Sequence, residues 1–244
     1  MDERTVLSLG GADRVSFLQG LVTNDVTKAA EGIIYTALLT PQGKFIADFF
    51  VIGQKDRLLI DVATSHAQIL GQRLMMYRLR AAVTIAQTDI VVSCGTGPAP
   101  QDALADPRHA ALGWRSYGET DVSDGTDWDV IRVAHKIPKT GIELTEDTYI
   151  LEAGFEALNG VDFKKGCFVG QEIVARMKHK TVLKKGLAQV AISGTAAPGA
   201  EITANGKPVG VLHTISGPHA LAFLRFDRAE GEMQAGEATL TRVT

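Results

Sequence analysis

Cysteine is scarce: Cys94 and Cys167 are the only two in 244 residues. They form no CxxC pair and no Cys/His cluster with zinc spacing, so no structural metal site is expected, and in a reducing compartment both stay free thiols. No apolar run approaches the length that spans a bilayer. The first residues, MDERTVLSLGG, lack the positive start and continuous apolar stretch of a secretory signal. Both absences point to the cytoplasm and to no membrane partner. Charge of one sign is not in excess either. With 25 Lys and Arg against 28 Asp and Glu, the net charge is −3, which argues against a broad nucleic-acid surface. A local patch, Lys178, His179, Lys180, Lys184 and Lys185, is the exception and keeps tRNA open as a partner.

What is present is the profile of an ordinary globular chain, 45% hydrophobic and 22% charged, long enough for one large domain or two to three small ones. VLSLGG reads as a strand, followed by Asp13 as the cap of a helix that faces inward through Phe17, Leu18 and Leu21. In IIYTALLTPQGKFIADFFVI, two β-rich runs flank Thr40-Pro41-Gln42-Gly43, which is hairpin chemistry. RLLIDVA is a further strand. Ser65 and Gln68 read as a capping box for a helix with Leu70, Leu74 and Tyr77 on one face. AAVTIAQ and IVVSCG return to strand patterning, and Cys94 reads as a buried thiol within the second.

The stretch 95–113 is rich in proline, glycine and small residues and is expected to be partly mobile. Thr126 to Asp129 looks like another capping box, opening a short helix that Pro138 ends. From about residue 181 onward, short β-prone runs alternate with APG, ANGKPVG and SGPH turns, the pattern of a small antiparallel barrel. The expected division is 1–181 for an α+β region of one or two modules and 182–244 for the barrel. Helices alternating with hairpins indicate α+β architecture rather than a doubly wound parallel sheet.

KKGCFVGQE, Lys164 to Glu172, carries the chemistry. A helix beginning near Val169, with Glu172 in its first turn, puts Cys167 just outside the positive helix end, where unsatisfied N–H groups favour a thiolate. Lys164 and Lys165 can add positive charge. Gly166 and Gly170 allow a tight turn and close approach. Position and composition together suggest an exposed, activated cysteine.

KKGCFVGQEIVAR resembles the KGC-aromatic-x-GQE signature of the YgfZ family, folate-binding-like proteins related to the aminomethyltransferase of the glycine cleavage system and to mitochondrial iron-sulfur assembly factors. FLQGLVTNDV, YTALLTPQGKFIADFFV, VIRVAHKIPKTGIEL, ILEAGF and ANGKPVGVLHTISGPHALAFLR resemble further family segments in the same order, so the resemblance covers nearly the whole chain.

The resemblance implies a ring of α+β modules around a central cavity that binds tetrahydrofolate, with a C-terminal barrel. It also implies a role in assembling or repairing [4Fe-4S] proteins, with an indirect effect on tRNA modification. The implied partners are the iron-sulfur assembly machinery and its client proteins. Cys167 takes the place of the motif cysteine, which implies that it carries the function, transiently ligating a cluster or acting as a nucleophile. Lys165, Gly166, Gly170, Gln171 and Glu172 support it. Asp48 aligns with the acid facing the reactive edge of the folate, Glu152 with an acid on the pterin ring, and Tyr35 with an aromatic lining the site. Two departures favour cluster maintenance over glycine catabolism: Ala47 stands where the aminomethyltransferase hairpin has a second acid, and the cysteine motif belongs to the YgfZ branch. His135 stands where the family has a glycine after the middle helix. The alternatives are a folate-dependent aminomethyl or other one-carbon transferase and a tRNA-binding accessory module.

Overall fold

FIADFFVIG is apolar on both strand faces apart from one aspartate, and a strand of that kind must be covered on both sides. In the computed structural model, which describes residues 3–180 and 182–243, it is β3 (Phe45–Gly53), with every residue except the last buried. It pairs antiparallel with β2 (Ile33–Leu39) and β4 (Arg57–Ala63). β4 pairs with β1 (Arg4–Gly10), and β1 with β5 (Thr84–Gln87), to complete a five-stranded sheet in the order β2-β3-β4-β1-β5. The β2–β3 turn is the expected hairpin: the Thr40 N–H donates to the Lys44 carbonyl at 2.8 Å, and Gly43 takes φ +75°.

Two helices cover this sheet, α1 (Arg14–Gln19) through Leu18 and α2 (Thr64–Tyr77) through Leu70 and Leu74, all three fully buried. Neither expected cap forms. Asp13 turns its carboxylate away from α1 and accepts from the Ala82 N–H at 2.7 Å, tying the helix start to the approach to β5. β4 runs straight into α2, so Ala63 occupies the cap position and Ser65 lies inside the helix, 3.0 Å from His66 Nδ1.

A second sheet in the order β6-β8-β7 joins Val91–Gly95, Trp114–Gly118 and Leu104–Ala105. The stretch expected to be mobile holds β7, a 3-10 turn at Ala110–Leu112 and the buried Asp106 and Leu112. It is therefore tethered at several points.

The chain divides into two compact units that are not consecutive in sequence: 1–126 with 155–175, and 127–154 with 176–244. The second unit contains α3 (Trp128–His135) and a closed barrel in the order β10-β11-β12-β9-β14-β13. Its strands are β9 (Lys185–Ser193), β10 (Glu201–Ala204), β11 (Lys207–Ser216), β12 (His219–Arg225), β13 (Glu232–Ala235) and β14 (Ala238–Arg242). The first barrel strand begins at Lys185, and Thr181 itself lies outside the described residues. The segment 127–154 joins the barrel's unit through Glu143, a buried acid. It accepts from Arg132 of α3 at 2.5 Å and from the Thr214 hydroxyl of β11, also at 2.5 Å. Asp127, one residue after Thr126, caps α3 by accepting from the Asp129 N–H. The left-handed residue after this helix is Lys136, at φ +55°, not His135.

Candidate functional site

Cys167 is exposed, and its neighbours explain how a solvent-facing thiol is held in place. The loop before it is fixed by hydrogen bonds to the turn after α1. The Thr23 hydroxyl donates to the Gly160 carbonyl at 2.7 Å, Asn24 Nδ2 donates to the Asn159 carbonyl at 2.8 Å, and the Asp162 N–H donates to the Thr23 carbonyl at 3.0 Å. Lys28 pairs with Asp162 at 2.7 Å.

Lys165 departs from the sequence reading. It lends no charge to solvent around the thiol; it is buried, and its ammonium donates to the main-chain carbonyls of Gln19, at 2.7 Å, and Val22. These carbonyls lie at the end of α1 and just beyond it, where cations are favoured. Burial lowers the Lys165 pKa to about 8, against the opposing pull of Asp25 and Asp162. Phe168, on the other side of the cysteine, is buried and lies 5.2 Å from the same ammonium. The thiol therefore projects from a short bridge between two anchored side chains.

The motif helix α4 (Gln171–Lys180) starts two residues later than expected, with Glu172 in its first turn. Gly170 has φ +83°, and a Cβ there would come within 2.7 Å of the Thr40 carbonyl. A Cβ on Gly43 would in turn lie 2.9 Å from Ile173. The helix start is thus seated directly on the hairpin turn, which is why both positions need glycine. Gly166 faces open space and has no such requirement. Gln171 begins the helix, half-buried.

The hairpin carries two other expected residues, and the structure brings them together. The Tyr35 hydroxyl on β2 donates to Asp48 Oδ2 on β3 at 2.8 Å. Both are buried, and the Tyr35 ring packs on Phe50 and Phe155, with centroids 5.3 and 5.1 Å away. Burial, with Asp48 beside it, pushes the Tyr35 phenol well above its ordinary pKa. Tyr35 also contributes to the wall of a cavity of about 550 Å³ with Asn24, Lys28, Pro107, Asn159 and Phe163; Asp48 does not. Glu152 belongs to the other unit, where it is buried and lies 3.5 Å from Lys185.

Sequence reasoning missed a buried charge cluster in the first unit. Asp61, fully buried on β4, accepts from Arg4 at 2.6 Å, Arg115 at 2.6 Å and the Tyr117 hydroxyl at 2.9 Å. Asp106 accepts from Arg108 Nη2 at 2.8 Å, and the Arg108 and Arg115 guanidiniums lie 4.8 and 4.0 Å from the Phe50 ring. Burial alone would raise the Asp61 carboxyl, but Arg4 and Arg115 outweigh it and bring it down to about 2. A carboxylate inside the apolar run RLLIDVA was the available signal. Cys94 is fully buried, and burial pushes its thiol up to about 11.

In the basic patch, Lys178, His179, Lys184 and Lys185 are exposed, with Lys185 directed to Glu152 and 5.7 Å from the Phe223 ring. Among the described residues no group of three or more His, Cys, Asp or Glu side chains is gathered to hold a metal ion, and no helix is long and apolar enough to cross a membrane.

The fold places the chain in a class before any relative is considered: α+β sheets with a closed six-stranded barrel, bearing an exposed cysteine just before a helix whose start is seated on a hairpin turn. The same architecture occurs in the glycine cleavage system aminomethyltransferase T from Bartonella henselae, with a TM-score of 0.78 over 98% of this chain and 82% of that one, at 15% identity. Residues 184–244 match the family described as CAF17, C-terminal beta-barrel domain. The mitochondrial iron-sulfur cluster assembly factor IBA57 of Mus musculus is 28% identical over 294 residues, which cover the whole of this chain and 82% of that protein. IBA57 of Homo sapiens is 28% identical over 96% of this chain and 78% of its own length. The chain is therefore similar along its length to IBA57 proteins and has the fold of that aminomethyltransferase.

Proposed function

We propose that this protein assists the assembly or repair of iron-sulfur proteins, particularly [4Fe-4S] enzymes, and that Cys167 is the residue through which it acts. The observation that carries this reading is the anchored, exposed thiol between Lys165 and Phe168, in a chain similar along its length to proteins named as iron-sulfur cluster assembly factors. Thiolates are the natural ligands of such clusters, which are cargo here. One thiol is an incomplete ligand set, so the assembly machinery, a client protein or a second molecule must supply the other ligands.

Replacing Cys167 with Ala tests the reading. The variant should fold, because the side chain is exposed, and should fail to restore a [4Fe-4S] enzyme in a strain lacking the protein. Full restoration by this variant sinks the thiol reading. Loss of tRNA modifications that depend on such enzymes is the expected secondary effect.

Tetrahydrofolate enters the proposal through Asp48 and Tyr35. A pterin presents adjacent N–H donors suited to a carboxylate, and Asp48 would have to share or release the Tyr35 hydroxyl to accept them. Glu152, which belongs to the other unit, is tested together with Asp48. Equal folate affinity in the wild type and in an Asp48→Ala, Glu152→Ala double variant would misplace this ligand. A one-carbon transferase predicts transfer from a lipoyl-like donor by the purified protein. An RNA-binding role for the patch from Lys178 to Lys185 predicts strongly salt-dependent tRNA affinity. The relatives are mitochondrial by name, and a cytoplasmic location for this chain is a proposal.

A further inference from the structure

Helix α2 shows its core-facing side through Leu70 and Leu74, which are fully buried. Its outward side carries further large apolar side chains, set among the exposed Gln68 and Gln72. Ile69, Met75 and Met76 are 40%, 49% and 55% exposed, and Leu79, just past the helix, is 87% exposed. Ile69 and Met76, seven residues apart, lie in one row along the helix with Met75 beside Met76, and Leu79 follows two residues after the helix end.

Leu79 is the informative residue. It has φ +44°, the left-handed region that follows many helices and that glycine or asparagine normally fills. Neither its backbone nor internal packing calls for leucine at this position. A large apolar side chain held in water on an unfavourable backbone conformation points to a contact outside the unit.

The charges around the surface state what that contact looks like. From residue 62 to 88 the chain has no Asp or Glu, but it has Arg73, Arg78 and Arg80, within a protein of net charge −3. Among the described residues none of these arginines forms an ion pair. A two-fold pairing of this face with a second copy would set arginine against arginine, which opposes it. Methionine and arginine are enriched at protein interfaces, and methionine adapts its shape to a partner. A bilayer-binding helix would carry a polar face rich in Lys and Arg, whereas α2 itself, Thr64–Tyr77, holds one arginine, Arg73, and no lysine.

We infer that the outer face of α2, with Leu79 at its end, docks an acidic amphipathic helix of a partner protein, whose apolar stripe covers Met75, Met76 and Leu79 and whose carboxylates meet the three arginines. The inference is independent of Cys167.

The test is fluorescence anisotropy of the full chain with two labelled model helices, each with leucine along one face and either glutamate or lysine along the other. The Leu/Glu helix should bind, and rising salt should weaken it. Leu79→Ser and Met76→Ser should each lower its affinity about tenfold without changing the thermal midpoint, since both side chains face solvent. Arg73→Glu with Arg78→Glu should switch the preference to the Leu/Lys helix. No binding of the Leu/Glu helix, equal binding of both helices, or affinity unchanged in the leucine and methionine variants overturns the inference. So does stronger association with anionic phosphatidylglycerol vesicles than with the Leu/Glu helix, or a dimer that Leu79→Ser dissolves.

Discussion

The Lys165 ammonium lies 2.7 Å from the main-chain oxygen of Gln19, a residue 146 positions earlier, and also donates to the Val22 carbonyl. One lysine therefore anchors the cysteine loop to the end of the first helix.

Replacing Lys165 with Met keeps the length of the stem but leaves two carbonyls without their donor. The expected cost is about 1–3 kcal/mol, the penalty for buried acceptors left unmade, read as a lower urea midpoint. Burial holds the Lys165 pKa at about 8 against an ordinary 10.5. Between those values the unfolded chain binds more protons than the folded one, so this group adds stability as pH rises. The gap between wild type and Lys165→Met should therefore widen from pH 8 towards pH 10. A constant gap would show that Lys165 is not depressed.

Gly170→Ala and Gly166→Ala form a matched pair. At Gly170 an alanine takes on both a positive φ and a Cβ 2.7 Å from the Thr40 carbonyl, and should cost about 2–4 kcal/mol. At Gly166 the space is open, and the change should stay within about 0.5 kcal/mol. Equal denaturation midpoints for the two variants would mean that α4 does not sit on the hairpin turn as described.

The Asp61 carboxyl is brought from an ordinary 3.8 down to about 2 by Arg4 and Arg115. Its contribution is complete above pH 4 and is lost as pH falls towards 2, because the unfolded state then binds the proton first. Asp61→Asn leaves Arg4 without its carboxylate partner and Arg115 with only Asp106, 3.5 Å away, and should cost about 3–5 kcal/mol at neutral pH. Acid titration of the thermal midpoint should be steeper for wild type than for Asp61→Asn between pH 4 and 2. Parallel curves would contradict the assignment.

The sequence made the strands, the hairpin and the barrel legible because alternation, unbroken apolar runs and turn residues are local signals. The exposure of Cys167 was legible because glycine and lysine flank it. The helix caps were not. Asp13 is claimed by Ala82, 69 residues away, and Ser65 by a strand that leaves no linker, and both outcomes depend on tertiary contacts. The direction of Lys165 was hidden for the same reason, since a lysine among polar neighbours gives no local sign that it turns inward. Asp61, Asp106, Arg108 and Arg115 are spread over 55 positions of the chain, and only the pairing of β-strands and the tethering of the 104–113 stretch bring them around Phe50.

Tyr35 and Asp48 allow the structural and the ligand-binding readings of the hairpin to be separated. Tyr35→Phe keeps the ring contacts with Phe50 and Phe155 but removes the hydroxyl that donates to Asp48 at 2.8 Å; about 1–3 kcal/mol of stability should be lost. Asp48→Asn retains an oxygen that can accept from Tyr35 and should cost less. If Asp48 receives pterin N–H groups, the Tyr35 hydroxyl competes with them. Titration calorimetry with tetrahydrofolate should then show affinity held or raised in Tyr35→Phe and lowered in Asp48→Asn, the reverse of the stability order. If the pair serves only to close the β2–β3 ladder around a buried carboxyl group, neither substitution alters folate binding, and folate affinity equal to wild type in both variants removes Asp48 from any ligand site.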